Sequence, residues 1–405
     1  DSLALVTDMC HEAGFRWEED IYMLYRLAVE RPFGGLERAQ ERPFLDTLDR
    51  ILPEVSRANS AIGTMVLLLL PKAGLTELSD PQKAHRFGAY PVPQMRDLVR
   101  YGASLGGPGG IRQRLGMDTE EGVRVRAEGN KYMKQEVQGA NLELMEEIHA
   151  LGEKSRAAPS TEGELLRETA RQLKDFAGAG LSGWSVSMLR VALESERMVE
   201  YLEILKEGVR RGEASGRYLL CAPRRAVVRR GDEVREVAVC EVMYCVVMKA
   251  VLWRMGKEVG AGMLPLQFGV GTRCGKELIA QAIEQVKRGG LRHYEEVTEV
   301  RIADAYRRLR REEIKKGVRE HYGGMAKLVE WAYGEGEGVR EGDPLAPLLV
   351  SVGMRGMLEG LGAALGAGHV VMGYMDVVVV LGRGGVAEKA RAAWRRISSC
   401  KGRSK

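Results

Sequence analysis

Apolar side chains in the first part of the chain recur every three or four positions, which is the period of an amphipathic helix. Positions 43–55 show this period, and 18–30 and 131–154 repeat it, so residues 1–156 are predicted to be mostly helical. The run 62–70 is continuously apolar and predicts a buried helix or strand. It is too short to cross a bilayer, and the sequence predicts no transmembrane segment.

Beyond residue 156 the pattern changes, and helical segments alternate with strand-like ones. Thr161 and Glu164 have the spacing of a capping box, which predicts that a helix starts there. A further helix is predicted over 186–205. Positions 226–239 form two apolar runs around a Gly-Asp pair, which predicts a β-hairpin with another helix after it.

A second hairpin is predicted near the end of the chain, where two valine-rich runs enclose positions 374–377. A glycine-rich helix precedes this hairpin and begins after the Gly-Asp-Pro-Leu-Ala-Pro sequence at 342–347. Upstream of that helix, positions 305–320 predict one basic helix.

Between Gly180 and Leu381 an ordered series of segments resembles the reverse transcriptases of site-specific, protist-type non-LTR retrotransposons. The segment 341–349 resembles their QGDPLGPLLF motif, and 374–377 resembles their YLDD box. The other similar segments are 180–185 (GPSGWT), 226–239 (LPKPDGGVRPIAV), 266–271 (QLGVG) and 297–313 (LQLDFKNAFNSVDRE).

The resemblance implies an α+β fold with reverse-transcriptase-like fingers and palm, preceded by a mostly helical N-terminal region. The expected divisions are a helical region at 1–156, a fingers-like region with the start of the palm at 157–290, a palm-like domain at 291–385 and a basic C-terminal tail at 386–405. A full thumb is not expected, because only that tail follows the last similar segment.

The resemblance also locates the positions where the family holds two catalytic Mg²⁺ ions. One aspartate comes from the first palm strand and two come from the YxDD turn. In this chain those positions are Arg301, Asp376 and Val377, so their formal charge changes from −3 to 0. A guanidinium does not lose its proton and repels a metal ion. We therefore expect a pseudoenzyme without polymerase activity, metal or cofactor.

The other aspartates and the cysteines offer no replacement site. Asp304 is predicted to point away from the palm positions, while Asp343 and Asp376 are expected to bond to their own backbone in turns. The six cysteines show no CxxC spacing, which predicts neither a zinc module nor a disulfide framework and favours a reducing compartment. No sequence motif of a hydrolase or metalloprotease is present.

The net charge of +5 is unevenly distributed, because residues 1–150 carry −5 and the remainder carries +10. A basic surface fits a phosphate backbone, so three clusters are predicted to bind RNA. They are Arg224, Arg225, Arg229, Arg230 and Arg235 in the first hairpin, Arg307, Arg308, Arg310, Arg311, Lys315 and Lys316 in the helix at 305–320, and Arg395 and Arg396 in the tail. The alternative for that helix is a solvated face, balanced by Glu312 and Glu313.

These features lead to a functional hypothesis: an inactive reverse-transcriptase-like protein that serves as a structural component of a large ribonucleoprotein. A mitochondrial ribosome is the expected complex, with ribosomal RNA and neighbouring proteins as partners and with no membrane and no small-molecule substrate. The mitochondrial location is expected from the start at Asp1, which a removed import signal would explain. The alternatives are a retroelement-encoded RNA-directed DNA polymerase and a protein-interaction scaffold that binds no nucleic acid.

Overall fold

A computed structural model of the chain describes residues 2–15, 20–21, 36, 38–58, 60–75, 99–100, 103, 159, 161–173, 180–221, 223–230, 233–272, 274–291, 293–302 and 305–401. The helix predicted at 131–154, most of the one predicted at 18–30, and Asp304 lie outside these residues. Helices and antiparallel strands make up the described fold, which confirms the α+β class.

The chain forms two compact units. The first contains Asp1–Leu205 and Ser215–Val247, and the second contains Lys206–Ala214 and Met248–Lys405. The four-part division expected from the sequence stays a prediction.

The first unit is built from helices and one hairpin. Its elements are α1 (Ser2–Glu12), α2 (Arg38–Ala58), α3 (Ala61–Leu75), α4 (Glu162–Gln172), α5 (Val186–Ala192), α6 (Glu196–Arg211), α7 (Arg217–Leu220), β1 (Arg224–Arg230), β2 (Glu233–Val239) and α8 (Val242–Met263). Both α6 and α8 continue into the second unit. The helix predicted at 43–55 is confirmed as part of α2. The run at 62–70, predicted to be a buried helix or strand, is part of helix α3.

The helix predicted over 186–205 is wrong, because the structure has two helices there. The chain leaves the helical path between α5 and α6, where Ser195 Oγ accepts a hydrogen bond of 3.4 Å from Met198 N and donates one to Asp49. A serine that caps a helix N-terminus in this way favours a new helix over continuation of the old one. The capping box is confirmed, since Thr161 Oγ1 and the Glu164 carboxylate each accept from the other's backbone N–H.

Trp184 lies at the centre of the first unit's core and has no exposed surface. Its ring centroid is 5.5 Å from that of Phe44, and its indole Nε1 donates a hydrogen bond of 3.1 Å to the Leu67 carbonyl. The tryptophan therefore connects the 180–185 segment to both α2 and α3, and its polar atom is satisfied within the core.

A buried carboxylate holds the same segment from the other side. Glu241 accepts hydrogen bonds of 2.9 Å from Ser182 N and 2.5 Å from Ser182 Oγ. A Cβ added at Gly180 would lie 2.6 Å from the Glu241 Cδ atom, so only glycine fits there. The Gly-Leu-Ser-Gly-Trp sequence is thus explained by packing around Glu241 and Trp184.

The first hairpin is confirmed, with β1 and β2 antiparallel. Its register runs from Arg224 opposite Val239 to Arg230 opposite Glu233. The structure describes the backbone of this hairpin, whereas the side chains at 224–236 lie outside the described residues.

The second unit is organised around a three-stranded antiparallel sheet of order β3-β5-β4. Its elements are α9 (Gly275–Lys287), β3 (Glu296–Arg301), α10 (Ala305–Arg308), α11 (Arg311–His321), α12 (Ala326–Ala332), α13 (Ala346–Leu365), β4 (Val370–Tyr374), β5 (Val377–Gly382) and α14 (Val386–Lys401). The second predicted hairpin is confirmed as β4 and β5.

Helices cover both faces of this sheet. On one face Met372, Val379 and Leu381 pack against Ile279 and Val286 of α9. Side chains alternate along a strand, so the intervening residues point to the opposite face. There α13 contacts β4, and α14 contacts β3 and β5.

The single helix predicted over 305–320 is also wrong. It is interrupted between α10 and α11, where the Leu309 carbonyl accepts a hydrogen bond of 2.8 Å from Gly338 N and Arg310 forms a β-bridge with Glu337. The loop before α13 therefore pairs with this backbone and replaces the bonds that a continuous helix would make.

The expected basic tail at 386–405 is mostly a helix that belongs to the core. Val386 and Ala390 have no exposed surface, and Ala393 is buried as well. Their spacing of four and three residues gives α14 one apolar side, which packs on the sheet.

The prediction of no membrane-spanning segment stays a prediction. Among the described residues, α13 is long and apolar enough to cross a membrane, judged by length and composition. Half of its apolar window is buried inside the protein, and the helix contacts α11, α14 and β4.

Cysteine reactivity provides a test of the packing of the first unit. Cys10 is fully buried, and burial raises the pKa of its thiol to about 12, whereas Cys274 is exposed before α9. Thiolates are the reactive species, so Cys274 should be modified in the native protein and Cys10 only after unfolding. Peptide mapping after brief labelling with iodoacetamide measures this. Equal labelling of both residues would contradict the burial of Cys10.

Candidate functional site

The β3–β5 ladder brings together the three positions that the resemblance assigns to catalytic carboxylates. Arg301 is the Cα partner of Val377, which is also the partner of Tyr374 on β4. Asp376 precedes Val377 in the turn, and its carbonyl accepts a hydrogen bond of 3.0 Å from Ile302 N. Partners across an antiparallel ladder have Cα atoms about 5 Å apart. A guanidinium, a carboxylate and a valine side chain therefore share one end of the sheet.

The turn between β4 and β5 is held by a buried glutamine. Met375 has a φ of +52°, in the left-handed region that non-glycine residues rarely adopt. The Gln267 side chain, 1% exposed, accepts a hydrogen bond of 3.1 Å from Met375 N and donates one of 3.0 Å to the Met375 carbonyl. Both backbone groups of the strained residue are thus satisfied by one amide.

Close contact with neighbouring atoms explains Gly269 and Gly373, which both lie near Gln267. Phe268 N donates to the Gly373 carbonyl at 2.8 Å, so this segment runs beside β4. A Cβ at Gly269 would lie 2.8 Å from Met375 N, and one at Gly373 would lie 2.8 Å from the amide nitrogen of Gln267. The QFGVG sequence is therefore a support for the turn.

The charges around the turn are mixed. Arg301 lies 3.8 Å from a carboxylate oxygen of Glu299, and both side chains are more than half exposed. Burial, together with the smaller effect of the negative charges of Asp376 and Glu341, raises the pKa of Tyr306 to about 12. The described residues contain no group of three or more His, Cys, Asp or Glu side chains that could hold a metal ion.

Titration of Tyr306 reports directly on this environment. Its folded pKa of about 12 exceeds the value of about 10 expected in the unfolded chain, so the folded state retains the proton between those pH values. Its stabilising contribution is full below pH ~10 and is lost as pH rises towards ~12.

Ionisation of the tyrosine side chains can be followed by absorbance as pH rises. We expect Tyr306→Phe to remove one step at the alkaline end of this titration. We expect Asp376→Asn to shift that step only partly downwards, since burial is the larger cause. Loss of an early step in the Tyr306→Phe variant would show that Tyr306 is not buried beside the turn.

A second polar cluster lies at the start of α13. The Asp343 side chain has no exposed surface and accepts hydrogen bonds from Arg340 at 2.6 and 2.9 Å, from the Tyr333 hydroxyl at 2.8 Å and from Leu345 N at 2.9 Å. The last bond is the local backbone contact expected for Asp343. No described residue donates a hydrogen bond to the Asp376 carboxylate, so the same expectation is not met there.

Two guanidinium groups enclose Tyr333. The Arg340 Cζ lies 4.2 Å from the ring centroid, and the Arg311 Cζ lies 5.4 Å from it. Burial, followed by the charge of Asp343, raises the pKa of Tyr333 well above its usual range. This arrangement fixes the loop between α12 and α13.

The predicted RNA-binding residues are divided between the two units. The hairpin group, Arg224, Arg225, Arg229, Arg230 and Arg235, belongs to the first unit, and the other groups belong to the second. Arg307, Arg308, Arg310, Arg311, Lys315 and Lys316 are divided between α10, α11 and the break between them. Arg395 and Arg396 lie exposed on α14.

Several of the predicted cations already have partners inside the protein. Arg311 donates to the carbonyls of Gly338 and Glu335 at 2.8 Å, so it stabilises the loop. Lys316 lies 3.8 Å from Glu320. Both RNA contact and a solvated face stay predictions for this helix.

Sequence reasoning missed Gln267, Tyr333 and Arg340 as determinants of this region. The available signals were the glycines around Gln267 and the arginine three residues before Asp343. Comparison with known proteins adds no further constraint, since no protein-family model and no curated protein matches the chain.

Proposed function

We propose that this chain is a catalytically inactive, reverse-transcriptase-like protein that serves as an RNA-contacting structural component of a large ribonucleoprotein, a mitochondrial ribosome being the complex expected from its sequence. The observation that carries the proposal is the β3-β5-β4 ladder. It places Arg301 beside Val377 and next to Asp376, as the resemblance to a palm requires of these positions.

Loss of chemistry follows from the groups at this end of the sheet. Two-metal catalysis needs several carboxylates around a pair of divalent cations. Of the three positions, Asp376 alone supplies one, and the Arg301 guanidinium has the same sign of charge as the metal. The shape of the turn is nevertheless maintained by the buried Gln267 amide. A retained scaffold without its ligands favours a structural role.

The expected partner is RNA because the second part of the chain is basic. Phosphate contacts by Arg and Lys do not depend on base sequence, so they outlast the loss of a catalytic site. Neighbouring proteins are expected to contact the helical N-terminal region.

The first test is affinity purification of the native complex, followed by RNA sequencing and mass spectrometry. We expect ribosomal RNA and many ribosomal proteins to co-purify. Recovery of the chain with its own transcript, or with target-site DNA, would overturn the proposal in favour of a retroelement polymerase.

A primer-extension assay tests the absence of activity. We expect no Mg²⁺-dependent product from the purified chain under conditions where an active reverse transcriptase gives one. A product that depends on Mg²⁺ and disappears in Asp376→Ala would show that the site still works.

A further inference from the structure

Several cations on the helices of this protein are paired with a carboxylate three or four residues away. Such pairs at a spacing of three or four residues stabilise a helix slightly and leave little charge for a partner. They are Arg42 with Asp46, Arg210 and Arg211 with Glu207, Arg288 with Glu284, Lys316 with Glu320, and Arg355 with Glu359.

The outward face of α14 departs from this pattern. Arg391, Arg395 and Arg396 are exposed, and Glu388 is the one acidic residue of the helix. Within the described residues no hydrogen bond or ion pair involves Arg391 or Arg395. Arg391 and Arg395 are four residues apart, so their positive charges lie on the same side of the helix.

The opposite face of α14 fixes the helix on the protein. Val386, Ala390 and Ala393 are buried against the sheet, and Val386 N donates a hydrogen bond of 3.0 Å to the Glu296 carboxylate. The guanidinium groups are therefore carried on an anchored helix. With a rise of 1.5 Å per residue, the Cα atoms of residues four apart are separated by about 6 Å along the axis.

We propose that the outward face of α14, defined by Arg391 and Arg395, binds the phosphate backbone of the RNA partner. This inference rests on the proposed function for the class of partner and goes beyond it by locating the contact. Guanidinium groups bind phosphate through two parallel hydrogen bonds, and contacts with the backbone need no particular base sequence.

Other partners fit this face less well. The exposed large hydrophobic side chains of the described residues are Ile204, Trp253, Leu264, Leu278 and Leu291, and none lies on α14. A protein interface of good affinity needs a buried apolar or aromatic anchor near its centre. A membrane-bound helix needs a free apolar face, whereas the apolar face of α14 is occupied by the sheet.

The turn between β4 and β5 is a weaker candidate for the RNA contact. Arg301 has Glu299 nearby, and Asp376 and Glu341 lie around Tyr306. Phosphate would meet several carboxylates there, whereas Glu388 is the one carboxylate on the helix that carries Arg391 and Arg395.

The test is a salt titration of RNA binding by the full chain. The probe is an RNA duplex of about 20 base pairs, and affinity is measured by fluorescence anisotropy between about 50 and 300 mM salt. For Arg391→Gln combined with Arg395→Gln, the log–log slope should fall by about 1.4–1.8, because each phosphate group that an arginine neutralises adds about 0.7–0.9 to the slope. At about 0.1 M salt this corresponds to a roughly 25- to 60-fold decrease in affinity.

A matched control removes two positive charges from positions where each arginine is paired with a glutamate. Arg288→Gln combined with Arg319→Gln changes two cations that are paired with Glu284 and Glu330. The slope of this control should stay within about 0.3 of the wild-type value, since neither residue contacts phosphate. Glutamine has a helix propensity close to that of arginine, so both variants should fold.

The outcomes separate this inference from the proposed function. If the wild-type chain fails to bind the duplex at low salt, the RNA-contacting role itself fails. If it binds but the α14 variant keeps the wild-type slope, the RNA binds elsewhere on the protein and this inference is overturned. An equal decrease in the control would show that total charge, and not this face, governs binding.

Discussion

Replacing Arg301 and Val377 together by aspartate is expected to create a divalent-cation site at this end of the sheet. The two residues are Cα partners in the β3–β5 ladder, and Asp376 precedes one of them. Partners on a ladder point to the same face, so the two new carboxylates would face each other, with Asp376 one residue away in the turn. Oxygen ligands in such a group suit Mg²⁺ and Mn²⁺.

The size of the effect follows from ligand binding to the folded state. At Mn²⁺ concentrations about 100 times the dissociation constant, the folded state gains about 2.7 kcal/mol. That gain raises the apparent Tm of the second unit by roughly 5–10 °C. Thermal unfolding with and without Mn²⁺, supported by electron paramagnetic resonance of the bound ion, measures it. The wild-type protein should show neither response.

An isosteric control distinguishes ligation from altered packing. Arg301→Asn combined with Val377→Asn removes the same two side chains but adds no carboxylate. This variant should give no Mn²⁺ response. If the aspartate variant also fails to bind Mn²⁺, these positions do not have the geometry of a palm site. The structural argument for the resemblance would then fail.

Local signals predicted most of the elements that the structure describes. The Thr161 capping box, the apolar period at 43–55 and the valine-rich runs around 374–377 depend on residues close in sequence. The errors arose where distant contacts compete with local ones. Ser195 bonds to Asp49 across the first unit and ends a helix that periodicity alone would continue.

The helix α14 was missed for a related reason. Its charge pattern suggested a solvated tail, but the apolar side at Val386, Ala390 and Ala393 is stabilised by a sheet whose strands come from elsewhere in the chain. Helices of this length gain most of their stability from such packing. Composition therefore predicted the basic surface, and the tertiary contact determined that it is helical.

The candidate site was partly predictable. The resemblance pointed to Arg301, Asp376 and Val377, and the ladder brings them together. It gave no indication of the Gln267 amide, because that contact joins residues 108 positions apart in sequence. From the sequence alone, a buried glutamine that bonds to a distant backbone cannot be distinguished from an exposed one. The difference becomes visible only when the strained residue that it contacts is known.

The same point applies to Asp343, for which the sequence predicted a simple turn contact. The structure adds Arg340 and Tyr333, so the carboxylate holds a buried ion pair and a phenol as well as the backbone. Arg340 also donates to the Ala332 carbonyl at 3.2 Å. The network therefore ties the end of α12 to the start of α13.

Asp343→Ala is expected to lower the free energy of unfolding of the second unit by about 3–5 kcal/mol, because it leaves the partly buried Arg340 guanidinium without its counter-ion. The Tyr333 hydroxyl and Leu345 N lose their acceptor in the same step. Pulse proteolysis across a urea series measures the change. Glu337→Gln, an exposed carboxylate of the same loop, is the matched control and should change stability by less than about 0.5 kcal/mol.

Arg340→Lys separates charge from geometry in this network. It keeps the positive charge but cannot reproduce the two bonds to Asp343 or the stacking on Tyr333. We therefore expect an intermediate loss of about 1–3 kcal/mol. A loss as small as that of Glu337→Gln would show that the arginine fork does not hold the loop. A loss equal to that of Asp343→Ala would show that the fork geometry, and not the charge, supplies nearly all of the stabilisation.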